Sequence, residues 1–487
     1  MSTDRPEPKP AHQTEPTDHP TEPTGGAADV QASVAPVPRR ALAVGICTTV
    51  VAIAFESIAV ATAMPVAARE LDGLAYYAWA FSAFVIGMLF ATVAAGRLSD
   101  RIGPAKPLFA GMAIFAVGLV VAGTAEHMAQ LVGGRLIQGL GSGVMNTAAF
   151  VLIAHAFDAR QRPRMFTYIS TAWVLPAFVG PPISAWITET FSWHWVFFAV
   201  LPLVAFGALV STPTLLTLIK NFTPPAEDPD RSKPAPLWAA GMAALAAAAI
   251  QLAGQRLDLV ALGLFVVGLA GLVIALPRLM PPGFLQWRRG ITAVIWTRML
   301  LPGAFFGSEA FLPLMLVEQR HVPLIIAGAA LTVGSIGWTV ASWLQSQSWV
   351  STRRDRLITY GTLSVAVGLA ICVVTALLPG VWFGVVGIGW LFAGFGMGLA
   401  TASTGLAVMT LTPAGAQGRN GASLNLGDAL GSGLFVGLTG SIFAALHGGG
   451  NLPLTFGAVF AATLVVCLVA TASSLRIGPV TNESYRG

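Results

Sequence analysis

Apolar residues run along this chain in blocks separated by short polar stretches rich in Arg, Pro and Gly. The blocks fall at residues 41–65, 77–96, 107–124, 130–155, 165–187, 193–218, 237–253, 258–276, 299–317, 324–347, 357–378, 381–411, 421–445 and 453–474. Each is close to the roughly 20 residues that carry an α-helix across a bilayer. Only a helix satisfies the backbone of such a segment without water. The pattern predicts an all-α polytopic membrane protein of about fourteen transmembrane helices. A polar stretch at 219–236, rich in Pro, Asp and Lys, divides the blocks unevenly. A six-helix bundle over 39–218 precedes this linker. Two extra helices over 237–276 follow it, joined by a tight turn at 254–258, and then a second six-helix bundle over 277–476. The ends, 1–38 and 477–487, read as cytoplasmic tails. The first is dominated by Pro, Thr, Glu, Asp and Ala, has no apolar period to fold around, and lacks the layout of a cleaved signal.

Composition supports the class. Hydrophobic residues make up 55% of the chain and charged residues 10%, against about a quarter charged in a soluble domain. The net charge of +5 is a topology signal, since the basic residues sit in short loops. With the N-terminus in the cytoplasm, every Lys and Arg falls on the cytoplasmic side except Arg69, Arg256, Arg320 and the in-span Arg135. Both termini are therefore expected in the cytoplasm and the chain in the plasma membrane, with the lipid bilayer and no nucleic acid as partner. A twelve-span reading that omits 237–276 keeps the same ends, but both segments are long and apolar. Residues 284–297, with Trp287, Arg288, Arg289 and Trp296, suit a short interfacial helix or a ragged start to the ninth span. Cys47, Cys372 and Cys467 lie in apolar blocks and read as small hydrophobes. No metal-ligand spacing, P-loop or nucleophile–base pair stands out, so neither a metal, a cofactor nor an enzyme is expected.

Three stretches carry more than topology. Gly96-Arg97-Leu98-Ser99-Asp100-Arg101-Ile102-Gly103 joins the second and third spans. Its glycines permit a tight turn, and Asp100 can accept from backbone N–H groups or pair with an arginine. Arg135-Leu136-Ile137-Gln138-Gly139-Leu140-Gly141 sets an arginine inside the fourth span, at a cost of about 2.5–3.5 kcal/mol unless it finds water or partners. Pro176-Ala177-Phe178-Val179-Gly180-Pro181-Pro182-Ile183-Ser184-Ala185 gives the fifth span small residues for close packing and a proline pair to bend it. These stretches resemble the GxLxDRxG loop, the RxxQGxG motif and the GxxxGPxxGG antiporter signature of the major facilitator superfamily. Residues 191–197, with Ser192-Trp193-His194-Trp195, are similar to the SWRW segment of its drug exporters. The resemblance spans about residues 40–476. Departures are Pro104-Ala105 where a basic pair is usual, Pro176 for the first signature Gly, and Ser184 and Ala185 for the last two.

Three acids remain inside spans: Glu56, Glu309 and Asp428. The stretch around Glu56, Phe55 to Pro65, resembles LDxTIVNVALP of the fourteen-helix drug:proton antiporters, with Glu for Asp. Glu56 and Glu309 each precede a proline in the span that opens a six-helix half. By rise per residue they stand about 20 Å and 15 Å above the inner surface, near the depth where transporters bind substrate and coupling ion. A carboxyl at this depth can take a proton from one side and release it to the other. Bracing a neighbouring helix is the alternative for each.

The resemblance implies a major facilitator fold and a proton-coupled exporter of small amphipathic or hydrophobic compounds, monomeric, with protons and a small molecule as its partners. In that frame Glu56, Arg135, Gln138, Glu309 and Asp428 handle protons or substrate. Gly96, Asp100, Arg101 and Gly103 latch the bundles, and Gly180, Pro181 and Pro182 bend a helix. A proton-coupled importer is the rival with the same fold. A membrane enzyme or lipid flippase is the rival from another class.

Overall fold

A computed structural model describes residues 39–158, 161–222, 236–255, 258–347, 350, 352–413 and 417–480. The tail expected over 1–38, most of the linker 219–236 and most of the tail 477–487 lie outside the described residues. In chain order the helices are α1 (Arg39–Glu70), α2 (Trp79–Ile102), α3 (Ala105–Gly123), α4 (Met128–Ala156), α5 (Arg162–Thr190), α6 (His194–Phe198) and α7 (Leu201–Lys220). They continue as α8 (Leu237–Ala253), α9 (Leu259–Leu279), α10 (Ile291–Glu318), α11 (Leu324–Leu344), α12 (Arg354–Leu377), α13 (Val385–Leu411), α14 (Gln417–His447) and α15 (Leu452–Ser474).

Each predicted block is helical, the sixth as α6 and α7 end to end. Among the described residues, twelve helices are long and apolar enough to cross a membrane. Two of the fourteen expected spans fall outside that set. α8 is apolar but only 17 residues long, and α5 carries three internal prolines among several Ser and Thr. Length and composition alone carry twelve crossings, and fourteen remains the expectation that adds these two.

The helices pair in a repeated order. In the first half α1 packs on α5 and α7, α2 on α4, and α3 on α4 and α7. In the second, α10 packs on α14 and α15, α11 on α13, and α12 on α13 and α15. This repetition is the mark of transporters built from two related bundles. The halves meet along α2 with α14 and α5 with α11, while α8 lies against α2 and α14 and carries α9 on its other side. In α10, 83% of the most apolar window is buried, against 28% in α9. α10 is thus an interior helix and α9 a lipid-facing one.

Taking α6 and α7 as one span, successive spans alternate direction. One end therefore gathers the start of α1, the end of α2 and the start of α10, and Arg39 there pairs with Asp158 just after α4. Here it is called the basic end, for Arg39, Arg101, Arg288 and Arg289. The other is the far end. Two boundaries differ from the sequence reading. α2 runs on to Ile102, so the stretch from Gly96 is helix and only Gly103 and Pro104 turn. α10 starts at Ile291, after turns over 281–290, so of the two readings of 284–297 the early start of the ninth span holds and the interfacial helix does not. Arg298, expected in the loop, is therefore helical.

Candidate functional site

The first half closes around one charge pair. Arg135 of α4 meets Glu56 of α1 in an ion pair, with side chains 3% and 0% exposed. The same guanidinium donates to Gln138 Oε1 at 2.6 Å and to the Ala80 carbonyl of α2 at 2.7 Å. Its carbon lies 4.6 Å from the centre of the Phe84 ring. Three helices thus converge on one guanidinium, as a charge this deep requires. The glycines following Gln138 make the convergence possible. A Cβ on Gly139 would sit 2.0 Å from the Phe84 carbonyl oxygen, and one on Gly141 would sit 2.4 Å from the Phe115 backbone nitrogen. Sequence reasoning named Glu56, Arg135 and Gln138 separately, and the fold brings all three together. A signal was present, since a single arginine and a single acid inside the spans of one half must each find water or an opposite charge.

The second half treats its acids differently. Asp428 of α14 receives Arg298 of α10 at 2.8 Å. Arg298 also donates to the Thr401 carbonyl at 3.1 Å and to Thr404 Oγ1 at 3.4 Å, both on α13, and lines a small recess with Pro302 and Ala400. Sequence reasoning missed Arg298, because Arg288, Arg289 and Arg298 read as one basic loop. Glu309 is half-buried on α10 and has no hydrogen bond or ion pair among the described residues. One turn towards the basic end, Phe305 stacks on Trp390 at 4.6 Å and meets Trp338 at 5.8 Å and Phe306 at 5.4 Å. The longer α10 sets Glu309 about 27 Å from the start of its helix, deeper than the sequence suggested.

The other singled-out residues lie elsewhere. Gly103 has φ +82, and its N–H donates to the Ser99 carbonyl at 3.1 Å. A Cβ there would stand 2.8 Å from the Phe222 ring, so this glycine closes the turn. Gly96 and Asp100 are half-buried on α2 and Arg101 is exposed. A Cβ on Gly96 would meet nothing within 4 Å among the described residues, so no contact described there requires glycine. Gly180, Pro181 and Pro182 lie on α5 at the seam between the halves. Pro182 has no N–H to offer the Phe178 carbonyl, and Thr332 of α11 donates to that oxygen at 3.4 Å. Ser184, one turn on, donates to the Ala59 carbonyl of α1 at 2.6 Å.

The far end joins the halves through polar contacts. Arg69 of α1 pairs with Glu318 of α10 at 2.8 Å. The buried Tyr77 hydroxyl donates to the Ala310 carbonyl at 2.7 Å, and its ring meets Phe311 at 5.2 Å. Towards the basic end, α5 exposes Tyr168, Trp173 and Leu175, and α11 exposes Val340 and Trp343.

Comparisons agree with this architecture. The chain is 30% identical over 164 residues to the multidrug transporter protein MdtP of Bacillus subtilis, covering 34% of this chain and 30% of that one. It is 23% identical over 293 residues to the multidrug efflux pump SdrM of Staphylococcus aureus, covering 58% and 64%. It spans about a third of the length of the first curated relatives it matches. In fold it is similar to a POT family transporter solved with 5-aminolevulinic acid, with a TM-score of 0.66, 13% identity and coverage of 90% and 97%. The family model described as Major Facilitator Superfamily matches residues 44–436, and the chain, a multi-pass membrane protein with that fold, belongs to this superfamily.

Proposed function

We propose that this chain is a proton-coupled secondary transporter that exports small amphipathic or hydrophobic compounds by alternating access, as a single chain, with its basic end in the cytoplasm. The observation that carries the reading is the sealed pair of Glu56 and Arg135. Removing one partner of a buried pair costs several kcal/mol, so a proton settling on Glu56 and a rearrangement of Arg135 are one event. Arg135 also holds Ala80 and Gln138, which ties that event to how α1, α2 and α4 pack. Relatives named as multidrug transporters support export.

In this reading the contacts of Arg69 with Glu318 and Tyr77 with Ala310 hold the far end shut. A protein shut at the far end in this way is in its cytoplasm-facing state. Substrate enters from the basic end and meets Glu309 and the aromatic cluster around Phe305. Asp428 braces Arg298. Gly96, Asp100, Arg101 and Gly103 form the loop that latches the opposite state. The bend at Gly180, Pro181 and Pro182 lets α5 rock against α11.

Dye efflux from proteoliposomes, with and without an imposed proton gradient, tests this. The native protein accelerates efflux when protons flow the other way. Glu56→Gln keeps shape but cannot titrate, so gradient-driven efflux falls at least about tenfold while passive exchange persists. Glu56→Asp retains part of the coupling. Full gradient-driven efflux by the Gln form sinks the reading, and dye moving in the same direction as protons favours an importer.

A further inference from the structure

The turns before α10 are held in one shape by contacts that a mere connector does not need. Gly283 and Gly290 have φ of +81 each, and Trp287, a bulky residue, has φ +48. Backbone of this kind persists where its surroundings fix it, and it clusters at functional positions. Here Trp296 Nε1 donates to the Phe284 carbonyl at 2.8 Å, and the Phe284 and Trp296 rings stack at 4.6 Å. Trp287 Nε1 donates to Ser473 Oγ at 3.1 Å, and the Gly290 N–H donates to the Arg476 carbonyl at 3.1 Å. The end of α15 and the start of α10 are thereby fastened together.

What they display is amphipathic. Arg288, Arg289 and Arg476 are exposed, and none has a carboxylate partner among the described residues. The Arg476 guanidinium lies 5.4 Å from the Trp287 ring centre. Three other arginines towards the basic end do pair with carboxylates: Arg39 with Asp158, Arg298 with Asp428 and Arg353 with Asp355. Beside these cations, Leu285 is 47% and Leu475 72% exposed. Both segments adjoin spans, so the patch lies at the level of lipid headgroups. Exposed cations, one of them over an indole, lie close in sequence to exposed leucines and match a phosphodiester above acyl chains.

We propose that residues 281–290 and the Leu475–Arg476 pair form a seat for the phosphate headgroup of an anionic phospholipid at the basic end. Arginine suits this role, because its guanidinium presents paired donors to phosphate oxygens. The seat is independent of the transport reading, since it uses none of the same residues.

The test uses the full chain in nanodiscs of phosphatidylcholine with or without phosphatidylglycerol. It follows lipid retention by native mass spectrometry and the thermal unfolding midpoint. The native protein should retain phosphatidylglycerol and unfold at a higher temperature in its presence, while inorganic phosphate should leave the midpoint unmoved. Arg288→Gln with Arg289→Gln should cut retention about thirtyfold, and Arg289→Gln alone about fivefold. Arg288→Lys with Arg289→Lys should keep most of it. If the double Gln variant inserts poorly, the exposed single variant carries the test. Equal retention by native and Gln proteins overturns the proposal, and so does protection by free phosphate equal to that by the lipid.

Discussion

In the first half Arg135 and Glu56 meet with side chains 3% and 0% exposed, while in the second Arg298 and Asp428 meet with 13% and 30% exposed. The two halves pair their helices in the same order. Glu56 and Arg135 join α1 to α4, whereas Arg298 and Asp428 join α10 to α14, the counterpart of α5. The choice of partner helix does not by itself set exposure. Depth does. Glu56 lies about 25 Å from the start of α1, whereas Arg298 lies about 10 Å from the start of α10. A pair near the end of a bundle can exchange its partner for water and contributes little to stability. A fully enclosed pair cannot, and its loss leaves a bare charge in a low dielectric. Under the proposed function the first half therefore holds the switch and the second a brace, together with an acid, Glu309, that has no partner among the described residues.

The largest expected effect breaks the deep pair. Arg135→Leu leaves Glu56 enclosed without its cation and should lower stability by about 3–5 kcal/mol. Removing both charges, as Arg135→Leu with Glu56→Leu, should restore much of that loss. Thermal unfolding of the two variants against the native protein measures the coupling. Additive losses would mean that the two side chains are not bound to each other.

How much of this contrast the sequence carries depends on the kind of signal. Helices announce themselves by apolar length, and every block predicted on that ground is helical. Ends are harder, because Leu98 to Ile102 looks polar enough for a loop yet continues α2 to Gly103. The same weakness hid Arg298: three arginines before an apolar block leave the point of helix entry undetermined, and the turn at Gly290 settles it only in three dimensions. Individual site residues stood out as charges in apolar surroundings. Their pairing did not, because Glu56 and Arg135 are 79 positions apart and join only through the approach of α4 to α1 and α2. The donation from Thr332 to Phe178 was equally hidden, since nothing in a threonine on α11 points to a carbonyl freed by a proline on α5.

A smaller effect probes the brace. Asp428→Asn removes the charge facing Arg298 but keeps an oxygen that can accept from it, and the Thr401 and Thr404 contacts remain. With Asp428 30% exposed, solvent screens much of the ion pair, and the loss should be about 1 kcal/mol or less. Chemical denaturation of Asp428→Asn beside Arg135→Leu sharpens the comparison. A loss as large as that from Arg135→Leu would show that the second pair is as insulated as the first, and depth would no longer account for the difference.

The smallest effect on stability belongs to Glu309. Its carboxylate holds no described neighbour in place, so Glu309→Gln should change the unfolding free energy by no more than about 0.5 kcal/mol. Function should respond otherwise. In its ionised form an acid one turn from Phe306, close to the Phe305–Trp338 cluster, attracts an organic cation through charge, and the negative faces of the half-buried rings add to it. With the amide of the Glu309→Gln variant in its place, only the second attraction remains. Efflux of a cationic dye should therefore slow several-fold while that of a neutral dye of similar size stays within about twofold. Running both dyes through one preparation removes differences in protein amount. Equal slowing of the two would assign Glu309 to coupling alongside Glu56, and no slowing of either would leave it outside the transport path. A large fall in stability would show that the acid has a structural partner, and the second half would then hide a charge pair as the first half does.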